Sequence, residues 1–131
     1  MRVLLVDDNA QFLKSAQRFL SSMETVAVTV AHDGHEALAH LEREGTDLVL
    51  MDLNMPGMSG LEATRRMKAL DPRVRVIVVS LHDGPEFRVA AIDAGAENLV
   101  AKQDFAVQIT PLLAAASRAR PLGRAPDRAG D

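Results

Sequence analysis

The sequence predicts an α/β fold of three layers, a doubly wound five-stranded parallel sheet with helices on both faces. Three observations carry this. Four apolar runs, at residues 3–6, 48–51, 76–79 and 99–101, are near-continuous rather than alternating, as strands buried on both faces of a parallel sheet are. Between the runs lie stretches whose apolar residues recur at helical spacing. Strand and helix patterns alternate five times, and right-handed crossovers leave few topologies for that order.

The elements follow in order. The first strand runs into Asp7 and Asp8, and residues 10–23 then place Phe12, Leu13, Ala16, Phe19, Leu20 and Met23 on one helical face, with Asn9 or Asp8 as cap. Residues 26–30 read as the second strand. Asp33 and Gly34 punctuate the turn into a helix carrying Ala37, Leu38 and Leu41, and Gly45 sits where that helix stops. The third strand closes on Asp52. A helix over residues 59–70 directs Leu61, Met67 and Leu70 inward and Arg65, Arg66 and Lys68 outward, before Asp71 and Pro72 end it. The fourth strand runs into Ser80. Pro85 suits the first turn of the next helix, which buries Phe87, Ala90, Ala91 and Ala94 and stops at Gly95. The fifth strand runs into Lys102, and the last helix presents Phe105, Ile109, Leu112, Leu113 and Ala116. Proline inside a helix costs about 3 kcal/mol, so either this helix is kinked at Pro111 or Thr110 caps a shorter one beginning there.

Beyond Ser117 the chain turns to Arg, Pro and Gly. The expected organisation is one domain over residues 1–117 and a solvated, disordered tail over 118–131. Asp127 and Asp131 dilute the tail's positive charge, which weakens a reading of it as a nucleic-acid arm. With 131 residues the chain fits one domain able to bury a core without disulfides. Its net charge of -3 leaves no electrostatic footprint for DNA, and four Phe with no Trp or Tyr leave no base-stacking platform. There is no cysteine, which excludes thiolate catalysis and Cys-based zinc sites. The first apolar stretch is too short for a signal peptide, and no run approaches the roughly 18 apolar residues of a membrane span. A cytoplasmic location without membrane contact is the expectation.

Function lies in how the strands end. Asp7 and Asp8, Asp52, Ser80 and Lys102 follow four strands that a parallel sheet brings to one edge, where open α/β folds bind ligands. Each has an ordinary account alone: a cap, a turn, a hydroxyl at a helix start, a surface lysine. Together, three carboxylates at neighbouring strand ends repel one another and call for a cation, and Mg²⁺ suits one or two carboxylates plus water. A lysine and a serine beside them suit a phosphoryl group. With no Cys, paired His or serine triad, the plausible nucleophile is a carboxylate, and its attack on phosphorus yields an aspartyl phosphate.

Residues 1–117 resemble the receiver domain of two-component response regulators. The resemblance rests on Asp7-Asp8, Asp52, Met55-Pro56 with Gly60 behind, Ser80, and Gly95-Ala96 leading to Lys102. The stretch Ser80-Leu81-His82-Asp83 and the lack of proline after Lys102 resemble receivers that precede helix-turn-helix output domains. The resemblance implies a flavodoxin-like sheet of strand order 2-1-3-4-5. It implies that Asp52 accepts a phosphoryl group from a sensor histidine kinase or phosphotransfer protein, in a Mg²⁺-dependent phosphorelay. Asp8 and Asp52 would ligate the metal directly, Asp7 through water, and Asn54 through its backbone carbonyl. Lys102 would bind phosphoryl oxygens and Ser80 would swing inward as the switch. A chain of this kind catalyses only its own phosphorylation and dephosphorylation, and passes its state to an output domain, a downstream protein or a second copy of itself.

Two positions depart from the family. Leu99 stands where an aromatic residue often accompanies the switch, and Gln103 stands where proline often follows the lysine in a cis bond; a trans bond is expected at Gln103. Asn54 and His82, each two residues beyond a site residue, are expected to tune the lifetime of the phosphorylated state. His32, His35 and His40 read as surface histidines. Two rivals come from other classes. A dehalogenase-type Mg²⁺ phosphohydrolase would place an acid where Asn54 stands, and a module that has lost phosphorylation would not keep the set Asp7, Asp8, Asp52, Ser80 and Lys102.

Overall fold

A computed structural model of the protein describes residues 1–118; of the tail expected over 118–131 it describes only Arg118, which closes the last helix, and the rest lies outside the described residues. The chain alternates β1 (Arg2–Val6), α1 (Ala10–Ser21), β2 (Ala27–Ala31), α2 (Gly34–Glu44), β3 (Leu48–Asp52), α3 (Gly60–Leu70), β4 (Arg75–Ser80), α4 (Pro85–Ala94), β5 (Asn98–Ala101) and, after one 3-10 turn at Lys102–Asp104, α5 (Phe105–Arg118). All the strand pairings are parallel, in the order β2-β1-β3-β4-β5. The three-layer fold with strand order 2-1-3-4-5 is as expected.

Alternate residues of each strand feed opposite layers, because successive side chains point to opposite sheet faces. Leu4, Val6, Val49, Met51, Val76 and Val78 pack with Ala37, Leu41, Ala63, Met67 and Ala91 of α2, α3 and α4. Val3, Leu5, Leu48, Leu50, Ile77 and Val79 pack with Leu13, Ala16 and Leu20 of α1 and with Phe105, Ile109 and Leu113 of α5. Both faces of the central strands are thus covered, which is why their sequences are continuous apolar runs. The edge strand β2 is only partly covered, with Ala27 and Thr29 exposed.

Caps set the helix starts. Asn9, rather than Asp8, caps α1, its side chain accepting the Phe12 amide at 2.9 Å; Asp33 and Ser59 do the same for α2 and α3. At the end of α4, Gly95 takes φ 113°, a left-handed conformation that favours glycine.

One expectation is corrected and one choice between alternatives is decided. Leu70 is 47% exposed. Each helical residue advances about 100°, so Leu70 lies about 60° round from Met67 and has drifted off the stripe formed by Ala63, Thr64 and Met67. Pro111 begins no new helix, since α5 runs through it and the Thr110 hydroxyl donates back to the Ala106 carbonyl at 2.8 Å. Ile109, Leu113 and Ala116 are buried on one face to either side of the proline. Burying side chains such as Ile109 and Leu113, at about 1.5–3 kcal/mol each, outweighs the roughly 3 kcal/mol a helical proline costs. Every peptide bond among the described residues is trans, Lys102–Gln103 included.

Candidate functional site

The strand register assembles the site. Val6 pairs with Met51, so Asp7 and Asp52 leave neighbouring strands side by side, and Asp52 in turn pairs with Val79. Ser80, the last residue of β4, pairs with Ala101, which immediately precedes Lys102. Oxygens of Asp7, Asp8 and Asp52 lie within 4.8 Å of one another. The Lys102 ammonium reaches Asp7 Oδ2 at 2.7 Å and Asp52 Oδ1 at 3.2 Å.

Burial divides these carboxylates. Asp7 and Asp52 are buried, whereas Asp8 is exposed. Asp7 Oδ1 accepts the Asn9 amide at 2.8 Å. Asp7 Oδ2 meets the ammonium as an ion pair but accepts no well-directed hydrogen bond. Desolvation, with the charge of Asp7 added, pushes the pKa of Asp52 up to about 6 against the opposing pull of Lys102. Burial works against the charged form of Lys102, but contact with Asp7 and the charges of Asp52 and Asp7 outweigh it and raise its pKa above the ordinary value.

Local packing holds Asp52 in place. The Leu53 amide donates to the Val79 carbonyl at 3.2 Å, and the Gly60 amide donates to the Leu53 carbonyl at 2.9 Å, folding the loop after β3 back on itself. Gly60 lies so close that a Cβ there would collide with the Asp52 carbonyl oxygen. Only glycine allows this approach. Asn54 is exposed on the same loop.

The remaining residues of the set make other contacts. Ser80 is fully buried and its Oγ accepts the His82 amide at 2.9 Å. The exposed His82 ring stacks on Phe87 of α4, with centroids 5.2 Å apart and planes 21° from parallel. Leu99, 2% exposed, is enclosed in the core on the α4 side of the sheet, and Phe87 packs against that core. His32 lies 3.0 Å from Glu36. One contact was not legible beforehand: the Lys102 ammonium sits 4.7 Å from the centroid of the Phe12 ring. Phe12 reads from spacing as an ordinary core residue of α1, and nothing local to it announces a lysine from the turn after β5.

The residues present fit a hard divalent cation. The donors are all carboxylate oxygens, one of them a buried oxygen short of hydrogen bonds, and Asp8 opens the cluster to water. The arrangement combines a partly desolvated carboxylate, cation ligands and a fixed ammonium. Such a set suits a carboxylate that meets a second anionic group, with the cation and the ammonium offsetting the repulsion.

Comparison with known proteins agrees with this geometry. Residues 3–113 match the family model of the response regulator receiver domain. The chain is 38% identical over 104 residues to protein-glutamate methylesterase/protein-glutamine glutaminase 2 of Caulobacter vibrioides, covering 78% of this chain and 30% of that protein. It is 35% identical over 102 residues to the response regulator MprA of Mycobacterium avium, covering 78% and 44%. The chain thus spans less than half the length of these curated relatives. Among solved structures it is similar to a LuxR-family two-component response regulator from Aurantimonas, with a TM-score of 0.83 and 30% identity over 91% of this chain and 86% of that one.

Proposed function

Because the chain belongs to the response regulator receiver domain family, we propose that it is a phosphorylation switch whose acceptor is Asp52. The observation that carries the reading is the placement of Asp52 between the Lys102 ammonium at 3.2 Å and the acidic pair Asp7 and Asp8. In the transfer, an Asp52 carboxylate oxygen forms a bond to phosphorus as the phosphorus–nitrogen bond of a phosphohistidine breaks. The departing imidazole nitrogen keeps the electron pair. Lys102 leaves its carboxylate partners to follow the charge on the phosphoryl oxygens, and Ser80 exchanges the His82 amide for one of those oxygens.

Asp8 and Asp52 would hold Mg²⁺ directly, with Asp7 through water and the backbone carbonyl of Asn54. Such a cation would supply the positive charge that lets two anions approach. The donor of the phosphoryl group is a sensor histidine kinase or a phosphotransfer protein. The recipients of the signal are an output domain of the helix-turn-helix type, a downstream protein, or a second copy of the chain. Asn54 and His82 set the lifetime of the aspartyl phosphate by governing the approach of water, which must come in line with the breaking bond. Residues 1–117 form the receiver unit, and it works in the cytoplasm; among the described residues no helix is long and apolar enough to cross a membrane.

The test is direct. Incubated with acetyl phosphate and Mg²⁺, the protein should gain one phosphoryl mass that hydroxylamine removes. Labelling that persists in Asp52→Asn, or in wild type with excess chelator, would refute the assignment.

A further inference from the structure

Lys102 is held by more than carboxylates, and the additional contact belongs to a closed circuit of four residues. Asp7 accepts the Asn9 amide, Asn9 accepts the Phe12 amide, the Phe12 ring lies 4.7 Å from the Lys102 ammonium, and that ammonium returns to Asp7. The ring is itself fixed. Phe105, just past the 3-10 turn that begins at Lys102, meets it edge-on at 5.4 Å and 80°. Phe19 meets Phe105 in the same manner at 6.2 Å and 74°. A chain with four Phe and no Tyr or Trp has therefore gathered three of its aromatic rings behind one lysine.

We propose that Phe12 is a positioning residue for phosphoryl transfer, its ring face keeping the Lys102 ammonium over Asp52 while the lysine changes partners. The need for it is physical. A lysine is a flexible stem carrying a point charge, and its carboxylate contacts must loosen when the phosphoryl group arrives. A ring face attracts a cation through its quadrupole and, unlike a hydrogen bond, does not require one direction of approach. The ammonium can then swing from Asp7 and Asp52 to phosphoryl oxygens without leaving the edge of the sheet. Asn9 extends the role: by capping α1 on the Phe12 amide it sets the ring's height relative to the strand ends.

This inference rests on Asp52 being the acceptor, and the experiment separates the two. In the cation-free protein, the Lys102 ε-methylene protons should be shifted upfield by the ring current, the shift disappearing in Phe12→Leu and persisting in Phe12→Tyr. With acetyl phosphate and Mg²⁺, Phe12→Leu should be labelled about three- to tenfold more slowly than wild type, the range expected of a lost cation–π contact. Phe12→Tyr should restore most of the rate. Phe19→Leu, which disturbs the same cluster without touching the lysine, should be labelled at the wild-type rate. Slowing in Phe12→Tyr and Phe19→Leu equal to that in Phe12→Leu would reduce the ring to packing and overturn the proposal. A wild-type rate in Phe12→Leu, or the absence of a ring-current shift, would overturn it as well. If wild type itself takes no label, the Asp52 reading falls and Phe12's part in the transfer falls with it, whereas a normal wild-type rate alongside an unaffected Phe12→Leu removes only Phe12.

Discussion

A buried carboxylate with a raised pKa ties this site to folding stability. The folded state favours the protonated form of Asp52, since its pKa moves from an ordinary 3.8 to about 6. Its contribution is therefore fully present below about pH 4 and is lost as pH rises through about 6. The whole shift is worth roughly 3 kcal/mol. Asn carries no such titration, so in chelator the stability advantage of Asp52→Asn over wild type should grow by about 1–3 kcal/mol between pH 4.5 and 7.5. Urea unfolding of the two proteins at both pH values measures it. A difference that does not change with pH would mean that the carboxylate titrates at its ordinary value.

Element junctions impose a second kind of constraint. The start of α3 is pressed against the end of β3 at Gly60, where a Cβ would strike the Asp52 carbonyl. Gly60→Ala should therefore cost about 1–3 kcal/mol of stability, as overpacking does, and also slow phosphorylation by moving Asp52. Refolded protein that labels at the wild-type rate would show that the loop absorbs the methyl group without shifting the acceptor. Between β4 and α4 the junction is a ring stack. If Ser80 releases the His82 amide on activation, the His82–Phe87 contact is the path by which the loop moves α4, because Leu99 is enclosed in the core and carries no polar tip. Amide shifts on adding beryllium fluoride should reach Phe87 and Ile92 in wild type and stop near His82 in Phe87→Leu. Equal spread in both would assign the coupling to another contact.

For the molecule as a whole, the acidic edge is a stored repulsion that a ligand can relieve. Whatever binds the folded state alone stabilises it, by about 2.7 kcal/mol at a hundredfold excess over Kd, which for a domain of this size is on the order of 5–10 °C in Tm. Mg²⁺ should accordingly raise the melting temperature of wild type by several degrees and do far less for Asp8→Asn. A wild-type melting temperature indifferent to Mg²⁺ would remove the cation from the site. At the opposite edge of the sheet, Arg75 grips Glu97 through two bonds at 2.9 and 2.8 Å and donates to the Ala116 carbonyl at 3.1 Å, joining β4, the turn before β5 and α5 away from the chemistry.

The sequence alone settled the order and kind of the elements, because burial on both sheet faces writes a continuous apolar run and a helix writes a period near 3.6 into adjacent residues. It also determined that Asp7, Asp52 and Lys102 meet at the sheet edge, since each closes or directly follows one of the parallel strands; the Ser80 hydroxyl, at the end of β4, accepts the His82 amide instead. Tertiary structure alone decided what depends on where separate elements touch: the Phe12 ring beneath Lys102, the His82 stack on Phe87 and the enclosure of Leu99. It also settled α5, where side chains buried to either side of Pro111 carry the helix through a residue that local chemistry reads as a break or a start. Local patterns record the environment each residue expects. They do not record which neighbour supplies it, because many partners offer the same burial and only packing selects one.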